Sequence, residues 1–275
     1  MRNSLPRVEL ARRARDIAQQ DWGLTSLLKT FERRVVKPQL RRLKPWRHTT
    51  YGDIRVSYRD HLDGGGRTSG MEYLPLFHDL GMPRQGRVFE WCAGPGFIGF
   101  ALLGYGFCDT LCLADVNPEA VEACRRTVAQ NRLADRVTIY HSDNLEAIPA
   151  PEQWDLVVGN PPHFVDISPG ELRFYDQDWT LHRRFFATIG RFLKPGGMIV
   201  LLENNCGSTA ETFRAMIEAA GLHIVFVHNC EPRRTPYTRI YYIGVARRGY
   251  AVPVWARLAA DRRAPTGLSS ATAQN

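Results

Sequence analysis

From about residue 84 onward the chain alternates short apolar runs with longer segments whose apolar residues recur at helical spacing. The run leading into Glu90 and those at 110–114, 137–140, 154–158, 198–202 and 222–227 have strand length. Residues 97–103 read as a helix directly after a glycine-rich loop. Leu181, Phe185, Ile189 and Phe192 mark one face of another, with Pro195-Gly196-Gly197 as its stop, and 209–220 reads as a helix ended by Gly221. Residues 237–245 alternate and fit a last strand. Strands and helices in turn predict an α/β domain.

Upstream, residues 50–59 alternate as strands do and run into Gly64-Gly65-Gly66, a flexible turn, which predicts a hairpin. Arg67, Thr68 and Ser69 either border a substrate pocket or only pack with the hairpin. Further back, Leu24, Leu27, Leu28, Phe31 and Val35 form a helical stripe until Pro38 interrupts it. The expected organisation is a basic helical appendage at 1–48, a hairpin and connecting helix at 49–83, the catalytic domain at 84–250 and a largely disordered tail at 251–275.

Charge sharpens this division. Residues 1–47 carry thirteen Lys and Arg against four Asp and Glu, while the rest of the chain carries 23 against 24, so the net +8 lies in the appendage. It is read either as an electrostatic arm for nucleic acid or a ribosome-associated partner, or as a solvated face in a chain that uses thirty-two Arg and four Lys. No apolar stretch approaches the ~20 residues that span a bilayer. The start lacks the apolar core of a secretory signal, and Glu9, Asp16 and Asp21 count against a transit peptide. Six cysteines show no Cys-x-x-Cys pair, and no His-x-x-x-His occurs. A cytoplasmic location with free thiols and no metal is expected.

The candidate chemistry gathers at two places. In Glu90-Trp91-Cys92-Ala93-Gly94-Pro95-Gly96, glycines at a strand-to-helix turn permit backbone shapes closed to other residues and leave a ligand room to approach. The next strand ends in Asp115, suited to the two hydroxyls of a ribose. Gly94-x-Gly96-x-x-Gly99 also matches the dinucleotide fingerprint, but Glu90 would repel a pyrophosphate while suiting a positively charged ligand, and a second nucleotide-binding half is missing. The second place is Asn160-Pro161-Pro162-His163, at the end of an apolar run, which points to a planar nitrogen held against an electrophilic methyl group.

These segments, with Asp115-Val-Asn-Pro-Glu-Ala-Val, Asp143-Asn144 and Asp155-Leu-Val-Val-Gly-Asn-Pro-Pro, resemble the ordered motifs of class I S-adenosylmethionine-dependent methyltransferases over roughly residues 84 to 246. The chain is most similar to the N-methylating branch that includes release-factor glutamine methyltransferases and the adenine and guanine amino methyltransferases of RNA and DNA. The resemblance implies a Rossmann-like sheet of seven strands, the last antiparallel, with helices on both faces. It implies S-adenosyl-L-methionine as cofactor and S-adenosyl-L-homocysteine as product. Glu90, Gly94 and Gly96 then line the methionine end, Asp115 takes the ribose, Asp143 and Asn144 face the adenine, and Asn160 borders cofactor and target alike. Asn160 and the Pro161 carbonyl accept the two hydrogens of the target amino group. Two positions depart from the family pattern: Cys92 stands where many relatives have glycine and is read as packing, and His163 stands where Tyr or Phe is usual. His163 is able to stack, donate a hydrogen bond or accept a proton, and Phe164 is a candidate for the missing aromatic face.

The segment 163–179 carries Asp166, Glu171, Asp176 and Asp178 against Arg173, with Phe164, Phe174, Tyr175 and Trp179 interleaved. As an acidic, aromatic lid it would repel a phosphate backbone and admit an amine or basic peptide; the plain alternative is solvated loop charge. Pro162, Phe164, Tyr175, Asp176 and Asp178 are the expected substrate contacts. The substrate expected first is a protein side-chain nitrogen of the glutamine-amide type. A small metabolite amine or amino acid and an amino group on an RNA base are the alternatives, and a cofactor-binding module without catalysis is disfavoured by the intact Asn-Pro-Pro.

Overall fold

In the computed structural model the described residues are 44–163, 175–230 and 240–261. The helical stripe expected between Leu24 and Val35 lies outside them, as do Phe164 and the far tail. Residues 46–275 form one compact unit.

The hairpin is present as β1 (Arg47–Tyr51) and β2 (Ile54–Tyr58), paired antiparallel across a turn at Gly52. The triple glycine is less a loose turn than a helix start. Gly65, at φ 94°, is the left-handed N-cap of α1 (Gly66–Asp79), and its N–H bonds the Asp63 carboxylate. Arg67 sits in the first turn, where its carbonyl accepts from the Tyr51 hydroxyl at 2.9 Å and its guanidinium pairs with Asp63.

The main unit follows as β3 (Gln85–Trp91), α2 (Phe97–Gly104), β4 (Cys108–Asp115), α3 (Pro118–Asn131), β5 (Val137–His141), β6 (Trp154–Gly159), α4 (Thr180–Ile189), β7 (Leu193–Asn204), α5 (Ala210–Ala219), β8 (Leu222–Asn229), β9 (Ile240–Arg247) and α6 (Val254–Asp261). The seven strands lie in the order β5-β4-β3-β6-β7-β9-β8, with β9 antiparallel to both neighbours. The continuous apolar runs are explained by burial on both faces. Because successive side chains point oppositely, Val88, Leu156 and Met198 share one core with α1, α2 and α6, while Phe89, Val157 and Ile199 share the other with α4 and α5. The second core is aromatic, with Phe89 stacked on Trp154 at 4.0 Å and Trp91 on Phe185 at 3.9 Å.

Two expectations are corrected. Pro195-Gly196-Gly197 does not stop the preceding helix, which ends at Ile189 and passes through one 3-10 turn into β7. The tripeptide lies inside β7, where pairing with β6 shifts from Trp154↔Leu193 to Leu156↔Met198. It is a bulge, and a Cβ on Gly197 would stand 2.9 Å from the Trp154 carbonyl oxygen. The tail assigned to 251–275 also opens with a helix, α6, because Trp255, Ala256 and Ala259 are buried in the first core. No helix among the described residues is long and apolar enough to cross a membrane.

The hairpin is seated on the loop-bearing helix by a close backbone approach. A Cβ on Gly104 would stand 2.2 Å from the Tyr51 carbonyl oxygen, and one on Gly52, whose φ is +56°, would stand 2.2 Å from that of Gly104. Gly104→Ala is therefore expected to destabilise the protein by about 1–3 kcal/mol, the usual cost of overpacking, measured by denaturant unfolding. An unchanged midpoint would show that the hairpin yields without cost.

Candidate active site

The parallel strands β3, β4, β5 and β6 all end on one edge, and the strand order reverses between β3 and β6. Open α/β sheets bind ligands at such a switch point. The loop after β3 takes a tight path, with Cys92, Gly94 and Gly96 at φ 52°, 53° and 79°. A side chain at 96 would stand 2.8 Å from the Phe100 ring, so glycine is needed there for space as well as for backbone shape. Cys92 tolerates a left-handed conformation that glycine adopts more easily, and it packs half-buried against the aromatic core.

Glu90 is turned into the start of α2, where one carboxylate oxygen accepts from the Gly99 N–H at 2.6 Å and the other from Ile98 at 3.3 Å. Burial pushes it up to about 8 against the pull of these two donors. Its charge thus lies beneath the loop, whereas the sequence reading had it lining the ligand. Asp115, at the tip of β4, accepts from the Gly94 N–H at 2.7 Å and the Asn117 N–H at 2.8 Å. It fixes the glycine loop to the start of α3, and burial raises it above the usual carboxylate range. At the end of β5, Asp143 is exposed and bonds Arg184, while Asn144 is buried at φ 54°. The Asn144 amide donates to the Leu181 carbonyl at 3.1 Å, but its oxygen is buried without a donor. An unpaired buried acceptor costs about 1–3 kcal/mol, and the exocyclic amino group of an adenine is a donor of the kind it lacks.

Beside this loop, Gly159 pairs with Trp91, so Asn160 emerges next to Cys92. Pro161 and Pro162 are buried, which holds the segment against the sheet. Below it, the fully buried Tyr73 hydroxyl of α1 shares its hydrogen between the Gly159 and Val200 carbonyls, each at 2.9 Å.

His163 neither stacks openly nor faces solvent. Its Nε2 lies 2.6 Å from Asn160 Oδ1 and its Nδ1 3.3 Å from Glu203 at the end of β7. The other Glu203 oxygen lies 3.1 Å from His182 Nε2, and His182 Nδ1 lies 2.7 Å from Asp176. Asp176 is held in turn by the N–H groups of Leu181 and His182. A continuous line thus runs Asp176–His182–Glu203–His163–Asn160, with its first three members at 3%, 0% and 0% exposure. Burial alone would lower His182, but the Glu203 charge and hydrogen bonds to Asp176 and Glu203 outweigh it and raise it to about 9. Burial likewise works to raise Glu203, and the two histidines override it and hold it below its ordinary value.

Asp176 is therefore not a lid charge facing substrate; it is consumed by His182 and two backbone donors. Asp178 is exposed at φ 52° and Tyr175 half-buried, so the lid keeps Asp178 as its outward charge among the described residues. Glu203, His182 and Tyr73 are site residues that the sequence reading missed. A signal did exist for His182: it shares the helical face of Phe185, Phe186 and Ile189, where an ionisable residue needs a buried partner.

The fold and this edge define a Rossmann-like class I S-adenosylmethionine-dependent methyltransferase. The chain belongs to the methyltransferase small domain family, whose model matches residues 70–222. It is 28% identical over 127 residues to the release factor glutamine methyltransferase of Clostridium acetobutylicum, covering 41% of this chain and 45% of that protein. To the ribosomal RNA small subunit methyltransferase C of Pseudomonas entomophila it is 29% identical over 182 residues, or 66% of this chain and 48% of the relative. The chain thus spans about half the length of these curated relatives. Among solved structures, the TYW2 protein of M. jannaschii in complex with AdoMet aligns with a TM-score of 0.51 at 14% identity, covering 74% of this chain and 87% of that one, a likeness of fold.

Proposed function

We propose that this protein transfers a methyl group from S-adenosylmethionine to a planar nitrogen, first of all a protein side-chain amide of the glutamine type. The observation that carries this reading is the position of Asn160-Pro161, one residue beyond the Trp91–Gly159 pairing at the switch point and beside the Gly94–Asp115 loop. The cofactor supplies an electrophilic methyl on a sulfonium. Asp115 and the glycine loop hold its ribose and methionine end, Glu90 adds negative charge under the loop, and the unpaired Asn144 oxygen receives the adenine amino group. Asn160 and the Pro161 carbonyl take the two hydrogens of the target, aiming its delocalised lone pair at the methyl carbon. Reacting atoms held ~3–3.5 Å apart and in line gain most from this orientation, so no strong base is needed before attack.

The glutamine-type target is favoured by the release factor relative. An RNA amino group is the second reading, supported by the longer match to the ribosomal RNA relative and by the basic residues of 1–47. Burial of Asp176 weakens the case that an acidic lid excludes RNA. If RNA is the target, affinity falls steeply with salt, with a log–log slope of about 0.7 per neutralised phosphate on a single strand, and deletion of 1–47 flattens that slope. A flat slope in the intact chain leaves the protein target ahead.

Calorimetry tests the cofactor half of this reading. S-adenosylmethionine is expected to bind, and Asp115→Ala to weaken it by about 1.5–3 kcal/mol, the range for hydrogen bonds to a charged group. Binding of NADH in its place would overturn the assignment.

A further inference from the structure

The line from Asp176 to Asn160 invites a chemical question that the transfer reaction leaves open: what decides how the Asn160 carboxamide is turned. Its oxygen and its NH2 have nearly the same shape and exchange places by a half-turn. Only one of the two arrangements offers an acceptor to the hydrogens of a target amine.

Hydrogen-bond polarity answers this in steps. An ionised Asp176 2.7 Å from His182 Nδ1 and an ionised Glu203 3.1 Å from Nε2 require hydrogens on both nitrogens, so His182 is a buried imidazolium. The second Glu203 oxygen, 3.3 Å from His163 Nδ1, requires a hydrogen there too. The remaining nitrogen of His163, Nε2, is the one that meets Asn160. If Nε2 also carries a hydrogen, the Asn160 oxygen must turn to it, as in the 2.6 Å contact, and the NH2 is left for the target, donor against donor. If Nε2 carries a lone pair, the NH2 turns to it and the oxygen faces the target.

We infer that Asp176, His182 and Glu203 are positioning residues that act through His163: by pinning its hydrogen on Nδ1 they present Nε2 as an acceptor, and so turn the Asn160 oxygen toward the nitrogen to be methylated. This rests on the reading that Asn160 holds the target. A Tyr or Phe at 163 has no Nε2 with which to make this choice, so the histidine couples the acceptor's orientation to its own protonation. The other ionisable groups around the line do not compete for the role. Tyr73, Tyr241 and the Cys92 thiol each feel the Glu203 charge, and burial raises all three, so they stay neutral while the carboxylates and His182 carry the charge.

The test combines kinetics with nitrogen-15 NMR of histidine-labelled protein. Wild-type turnover is expected to fall on the acid side as His163 Nε2 takes a proton. His163→Phe should lose that acid limb, and Glu203→Gln should lower kcat at least tenfold with little change in S-adenosylmethionine affinity, which also reports that the variant is folded. In the His163→Phe background Glu203→Gln should add no further loss. The spectra, which need no turnover, should show wild-type His163 above its titration as one neutral tautomer with the hydrogen on Nδ1, becoming a mixture in Glu203→Gln. An acid limb that persists in His163→Phe, losses that multiply independently, or a neutral His163 with its hydrogen on Nε2 would each overturn the inference. Normal transfer by Asn160→Ala would instead strike the acceptor reading, and the tautomer result would still judge the relay.

Discussion

Asn160→Ala is expected to lower kcat by on the order of 10²–10³-fold or more, the loss typical when a preorganised polar contact to a reacting group is removed, while S-adenosylmethionine affinity stays within about threefold. The reason is positional. Asn160 follows a strand pinned by Tyr73 and flanked by two buried prolines, so truncation takes away the carboxamide without freeing the backbone. The cofactor contacts assigned to Asp115, Asn144 and the glycine loop come from other strands. Single-turnover kinetics with a separate binding measurement distinguishes the two effects. Turnover near that of the wild type would mean that Asn-Pro-Pro is only a turn.

Glu203→Ala is expected to be the most destabilising single change in the site, by about 3–5 kcal/mol, because it leaves the His182 imidazolium buried without its main counter-charge. That corresponds to a loss of roughly 6–20 °C in Tm for a domain of this size. The effect carries a pH signature. His182, raised from 6.5 to about 9, contributes stability that is complete below 6.5 and lost as pH rises through about 9. Glu203, lowered from 4.5, contributes stability that is present above 4.5 and lost as pH falls. The gap in Tm between wild type and Glu203→Ala should therefore be widest between about pH 4.5 and 6.5 and narrow towards pH 10. A gap independent of pH would mean that the loss is one of packing alone.

The parts of this architecture that were legible in the sequence are those in which chemistry follows local order. Continuous apolar runs announced strands buried on both faces, and the glycine loop, Asp115 and Asn160-Pro161-Pro162 each stand at a strand end. Legibility failed where one residue pattern serves two structures. Pro195-Gly196-Gly197 suits a helix stop and a strand bulge alike, and only the pairing of β7 with Trp154 decides between them. Charge counting failed at Asp176 for a related reason, since the number of carboxylates in a segment does not tell which one turns inward. His163, Glu203 and His182 lie 40 and 21 residues apart, and only the neighbouring of β6 and β7 and the docking of α4 bring them together.

The central claim is that Asn160 holds a nitrogen for methylation, and transfer from methyl-labelled S-adenosylmethionine to separated protein, RNA and metabolite fractions tests it most directly. The account predicts that the wild-type chain labels one fraction, the protein fraction first among them, and that Asn160→Ala labels none while still binding the cofactor. Label transferred equally by both chains, or by neither despite tight binding of the cofactor, would contradict it.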